Sequence, residues 1–153
     1  MTVAQIRNTY LADGLVRTIY FHFPILAQES AFAAEYVECA GEQGTEHFWG
    51  FIDAVYENQG RMSVEVLSEI ASEMELDDAR MNECLNSGRH HATWQIDYAR
   101  GSAMGVESTP TIFLVYLDKD GEEVRLKFQG ARDFDNMAQI LDAILREIEY
   151  PQY

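Results

Sequence analysis

The sequence predicts an α/β domain, and three observations carry that reading. Leu15 to Phe23 is apolar on both alternating faces and is stopped by Pro24. Residues from Glu29 to Val106 keep helical spacing in several pieces. A Thr109-Pro110-Thr111 step then opens the apolar run Ile112 to Leu117. The first stretch is expected to be a strand covered on both sides. Before it, residues 3 to 12 form a short helix ended by Asp13-Gly14. The helical pieces are Glu29 to Glu42, Glu46 to Glu57, Ser63 to Glu75, Asp78 to Ser87 and His90 to Met104, separated at Gly44, Asn58-Gln59-Gly60 and Gly88. Ser63 and Asp77 have the short polar side chains of N-caps. Thr111 to Leu117 is expected as a buried strand and Asp118-Lys119-Asp120-Gly121 as a hairpin turn. Val124, Leu126 and Phe128 alternate with charged or polar neighbours and mark a one-faced strand. Phe134, Met137, Ile140, Leu141, Ile144, Leu145 and Ile148 follow Asp133 at helical spacing, so the chain closes with an amphipathic helix packed on the sheet.

The 153 residues suit a single domain, 1–153, with the helical block at about 27–106 as an insertion. A chain of this size buries roughly two-thirds of its unfolded surface and needs no metal or disulfide to fold. Hydrophobic residues make up 47%, which excludes whole-chain disorder. No apolar run reaches the roughly 18 residues of a spanning helix. The net charge of −15 repels phosphate backbones and anionic lipid, so neither a nucleic acid nor a membrane is expected as partner. Residues 1 to 20 lack the basic start, apolar core and cleavage site of a secretory signal.

Chemistry has few footholds. The only cysteines are Cys39 and Cys84, so there is no Cys-x-x-Cys. A reactive thiolate wants a helix N-terminus or a nearby cation. Cys84 lies near a helix C-terminus beside Glu83, where dipole and carboxylate both oppose it, although Cys84-Leu85-Asn86-Ser87 spells a monothiol pattern. Cys39 is mid-helix, on the side of Phe32, Tyr36 and Ala40, and reads as a small buried hydrophobe. The adjacent His90 and His91 point to different helix faces and cannot share one metal as an i, i+4 pair does. His22 and His47 read as hydrogen-bonded or partly exposed. Gly101 to Gly105 has Gly-x-x-x-Gly spacing but sits among charged residues, so it marks close packing and a turn. Nucleophile elbows and phosphate-binding loops are missing from the sequence. No catalytic residue, metal or cofactor is expected within the chain.

The order of elements resembles the DsbA-like thiol–disulfide oxidoreductases of the thioredoxin superfamily. The residues that carry the resemblance are Gly14-Leu15-Val16-Arg17 leading to His22-Phe23-Pro24, Ala33-Ala34-Glu35 through Glu38-Cys39-Ala40, Gln43-Gly44, Phe48-Trp49, Glu57-Asn58-Gln59, and Gly105-Val106 with Thr109-Pro110-Thr111. The resemblance implies a thioredoxin-like fold with a DsbA-type helical insertion, here without the first strand and the start of the Cys-x-x-Cys helix. Met1 then falls inside that helix, and the strand before it would be an interior one, between 15–23 and 111–117. Its loss would leave two rows of unpaired backbone groups or force the two neighbouring strands to pair directly, and either strain points to a truncated chain or to one completed by a partner strand. The resemblance also implies a cis-proline at Pro110, with Thr109 offering backbone hydrogen bonds to a substrate chain. Taken alone, any tight loop can use a proline before a strand. Some DsbA-like proteins carry a structural disulfide at places comparable to Cys39 and Cys84, so a bridge stands beside the reading of two unpaired buried thiols. A bridge implies the periplasm or another extracytoplasmic compartment. Three functions follow. The chain is the larger part of a protein disulfide oxidoreductase, inactive alone. Alternatively, it is a non-catalytic module binding an extended peptide, or a homodimer whose copies exchange a segment.

Overall fold

Periodicity and capping place the helices where the apolar residues recur. The computed structural model describes residues 2–11 and 13–149. These contain seven α-helices and a two-stranded sheet: α1 (Thr2–Ile6), α2 (Gln28–Gly41), α3 (Thr45–Glu57), α4 (Val64–Glu73), α5 (Asp78–Ser87), α6 (His91–Ala103), β1 (Thr111–Leu117), β2 (Glu123–Gln129) and α7 (Phe134–Glu149). A π turn, Arg7–Leu11, continues α1, and a 3₁₀ turn, Gln59–Arg61, follows α3. The chain divides into two compact units, Met1–Tyr20 with Gly105–Tyr153, and Phe21–Met104.

The helical unit is built around α2, which packs on α3, α4, α5 and α6. Ala33, Ala34 and Ala40 on α2 are small enough to let its neighbours approach, and they are buried with Val37 and Cys39. Phe51 and Ile52 of α3, Val66, Leu67 and Ile70 of α4, and Met81 and Cys84 of α5 complete this core. Ser63 caps α4 by accepting from the Val66 N–H at 3.3 Å. Asp77 caps α5 by accepting from the Arg80 N–H at 3.0 Å. Gly88 ends α5 at φ 62°, a left-handed conformation that glycine adopts without steric cost. The expected helix to Glu75 stops at Glu73, because Glu75 turns left-handed at φ 55° and the Leu76 N–H reaches back to the Ala71 carbonyl.

In the other unit β1 and β2 pair antiparallel, with Thr111 opposite Gln129 and Leu117 opposite Glu123. Asp118 builds the hairpin turn: its carboxylate accepts from the Asp120 and Glu122 N–H groups, each at 2.9 Å. The Asp133 carboxylate accepts from the Asn136 N–H at 2.8 Å and starts α7. The buried side of α7 carries Met137 and Leu141, and this helix meets α1. There Tyr10 is buried and its hydroxyl donates to Asp142 Oδ1 at 2.8 Å, with the Ala138 carbonyl at 3.3 Å. Burial first, and the Asp142 carboxylate second, push the Tyr10 hydroxyl above its ordinary pKa of 10.0. A pKa raised by folding contributes stability that is present below the unfolded value and lost as pH rises through the folded one. Tyr10→Phe is therefore expected to cost about 1 kcal/mol at neutral pH. It should also flatten the alkaline fall in the urea midpoint above pH 10.0; an alkaline limb identical to that of the parent would count against this role.

Two expectations are corrected. Residues 15–23 run without helix or strand pairing, and alternate side chains face solvent, with Leu15 45%, Ile19 62% and Phe21 53% exposed. A strand is a nonlocal object, and apolar alternation forms one only where a neighbour supplies the ladder. Nor is β1 buried: its residues are half-buried or exposed, Val115 at 55% and Leu117 at 59%, since among the described residues β2 alone pairs with it. Position 12 of the first helix, and Met1, lie outside the described residues. Among the described residues no helix is long and apolar enough to cross a membrane.

Candidate functional site

The Thr109-Pro110 peptide at the entrance to β1 is cis. Three hydrogen bonds fix the loop around it. The Gly130 N–H donates to the Pro110 carbonyl at 2.9 Å, the Thr111 hydroxyl to the Ser108 carbonyl at 2.6 Å, and the Lys127 ammonium to the Gly105 carbonyl. That ammonium also lies 5.9 Å from the centroid of the Phe113 ring, within cation–π range. Thr109 and Pro110 are both exposed. Among the described residues no hydrogen bond of the chain takes up the N–H or the C=O of Thr109. Thr109 therefore shows solvent one donor and one acceptor beside the bonded carbonyls of Ser108 and Pro110, a pair that an extended peptide can use.

The helical unit carries both cysteines. The Sγ atoms of Cys39 on α2 and Cys84 on α5 are bonded, with the Cα atoms 5.8 Å apart and a sequence separation of 45. Both residues are buried. The Ser87 hydroxyl donates to the Cys84 carbonyl at 2.6 Å, so in Cys84-Leu85-Asn86-Ser87 the hydroxyl serves the backbone.

Beside the disulfide, Glu35 and Glu38 on α2 and Glu42 at its C-cap follow one another at i, i+3 and i+7 and gather cationic and imidazole groups. His91 Nδ1 lies 2.8 Å from Glu35, and the Trp94 indole donates to the same oxygen at 3.3 Å. The buried His22 places Nε2 3.0 Å from Glu38, while its backbone N–H donates to Asp97 at 3.1 Å. His90 bridges two carboxylates, with Nε2 2.7 Å from Glu42 and Nδ1 4.0 Å from Glu38. The Arg89 guanidinium grips Glu42 with both ends of its fork, at 2.7 and 2.6 Å. The Arg89 hydrogen bonds, followed by the one from His90, hold the Glu42 carboxyl at about 2, and Glu42 in turn raises the Arg89 pKa. An open depression of about 360 Å³ adjoins this network, lined by Glu38, Gly41, Glu42, Thr45, Phe48 and His90. Sequence reasoning missed the network. The i, i+3, i+7 spacing of the glutamates was its visible signal, but the partners at 89–91 lie far along the chain.

A family model described as Thioredoxin matches residues 1–143. The chain belongs to this thioredoxin family. Among thioredoxin-family relatives, a probable disulfide bond formation protein D of Bacillus cereus is 23% identical over 150 residues, covering 94% of this chain and 64% of the relative. Its counterpart in Bacillus anthracis is 22% identical over 117 residues, 72% of this chain and 54% of the relative. The chain thus spans less than two thirds of the length of either curated relative. The crystal structure of Wolbachia pipientis alpha-DsbA1 superposes with a TM-score of 0.79 at 19% identity, covering 97% of this chain and 77% of that one. This thioredoxin-family chain has the thioredoxin-like α/β fold with a helical insertion.

Proposed function

We propose that this chain is part of a thiol–disulfide oxidoreductase acting on proteins, and that the proline loop is where it holds an extended segment of its substrate. The exposed Thr109 carries the reading, because its N–H and C=O have no partner among the described residues and stand at the entrance to β1. Pro110 has no N–H of its own, so Thr109 supplies the free backbone pair there. A peptide strand laid along this loop gains two main-chain hydrogen bonds whatever its side chains, which suits an enzyme with many protein substrates. The exchange chemistry is assigned to a dithiol pair outside residues 1–153. When a substrate dithiol is oxidised, its two electrons and two protons pass to that pair's disulfide. Relatives named for disulfide bond formation support the reaction class. An extracytoplasmic location is proposed on the same resemblance and on the Cys39–Cys84 bond, since such bonds persist in oxidising compartments.

The direct test is insulin disulfide reduction with a dithiol reductant. Residues 1–153 alone are expected to give no turnover, whereas a longer natural protein whose in-frame upstream codons encode a strand and Cys-x-x-Cys should turn over. Activity of 1–153 that survives Cys39→Ser but not Cys84→Ser would move the nucleophile to Cys84 and end this reading. A second reading rests on residues 15–23, which lie in neither helix nor strand and whose alternate apolar side chains are exposed. It makes the chain a non-catalytic module completed by a partner strand or a second copy. Concentration-dependent mass in sedimentation equilibrium distinguishes the second copy.

A further inference from the structure

We propose that reduction of the Cys39–Cys84 bond turns the pair, together with a ring nitrogen of His90, into a binding site for one zinc-type divalent cation. This goes beyond the oxidoreductase reading and does not depend on it. One ligand atom from each of the three residues lies within 4.8 Å of the other two. A tetrahedral zinc with Zn–S of about 2.3 Å and Zn–N of about 2.0 Å sets its ligand atoms about 3.5–3.8 Å apart, so the three donors need to move by only about 1 Å. Two thiolates and an imidazole are a soft set that selects zinc over magnesium or calcium.

The surroundings meet the other requirements of a metal site. His90 Nε2 is 2.7 Å from the Glu42 carboxylate, the outer partner that fixes a ligating histidine's tautomer and leaves Nδ1 as donor. Glu42 is itself held by Arg89. Glu38 lies within 4.0 Å of His90. The depression of about 360 Å³ has His90, Glu38 and Glu42 in its wall and gives a hydrated cation a route from solvent. The fourth position falls to water or to one of these carboxylates. The net charge of −15 concentrates cations near the whole surface.

The sequence of events balances. A dithiol reductant gives two electrons and two protons to the Cys39–Cys84 bond, which breaks to two thiols while the reductant closes its own disulfide. Zinc then displaces both protons to solvent and takes the two thiolates. With the bond intact there is no thiolate and no site, so binding is gated by redox state.

The probe is cobalt(II), which reports tetrahedral thiolate coordination by a thiolate-to-metal charge-transfer band and is displaced by zinc. Protein reduced with a water-soluble phosphine is expected to bind one equivalent of cobalt with that band, and oxidised protein to show none. His90→Ala leaves the disulfide in place, so its fold can be checked before reduction. Once reduced it should bind cobalt at least about tenfold more weakly. If reduced protein loses helicity by circular dichroism and zinc restores it, the site is supported through coupled folding. Absence of the band in reduced protein, an unchanged affinity in His90→Ala, or an unfolded reduced chain that zinc does not rescue each overturns the proposal.

Discussion

Replacing Cys39 and Cys84 together by alanine is expected to lower the stability of the helical unit by about 4 kcal/mol. The bond joins residues 45 apart, and closing a loop of that length removes about 4 kcal/mol of conformational entropy from the unfolded chain in the chain-entropy account. The native contribution is smaller, since both sulfurs are buried and two alanines leave only a modest void. Domains of this size are stable by about 5–15 kcal/mol, so the double variant should remain folded but near its limit. Urea unfolding of both proteins checks it, the expectation being a large fall in the midpoint and a steeper slope, since the unfolded chain without the cross-link exposes more surface. A loss below about 1 kcal/mol would place the stabilisation of this unit elsewhere, in the helix contacts of α2.

Phe51→Ala is expected to cost about 3–5 kcal/mol, as large-to-small changes at fully buried aromatics do. Phe51 has 0% of its surface exposed on α3, and its ring centroid lies 6.1 Å from that of Tyr36 on α2, tilted by 31°. The variant loses the transfer energy of the ring and leaves a cavity where α3 packs on α2. Phe51→Leu, which refills most of that volume, should cost less than half as much and keeps the test readable should the alanine variant fail to fold. Phe21→Ala is the contrast: at 53% exposure its effect should stay within about 0.5 kcal/mol. Thermal unfolding of the three variants settles the ranking, and equal losses at Phe51 and Phe21 would contradict the burial of α3.

Local chemistry made most of the fold legible in the residues. The α5 helix runs from Asp78 to Ser87 as its Asp77 cap and Gly88 stop dictate, and the Asp118 turn fixes the hairpin. Each of these signals acts within a few residues. Leu15 to Phe23 shows where such reasoning ends: its β-branched and aromatic residues are suited to a sheet, yet pairing needs a second chain segment that local sequence does not describe. The same holds at the site. The proline loop was visible because its residues are contiguous. The glutamate stripe of α2 stayed hidden because Arg89, His90 and His91 reach it across about 50 positions of sequence, a separation that spacing rules such as i, i+4 do not span.

The three hydrogen bonds of the proline loop bear on how a visiting strand would be received. Gly130, Thr111 and Lys127 hold the carbonyls of Pro110, Ser108 and Gly105, so the backbone on either side of Thr109 is already ordered before anything arrives. Ordering a free residue costs about 1–2 kcal/mol, and here that loss falls on the visitor alone. On the proposed reading the loop would be a preset template, and short peptides with stiff, extended backbones are expected to lodge there more readily than flexible ones of the same composition.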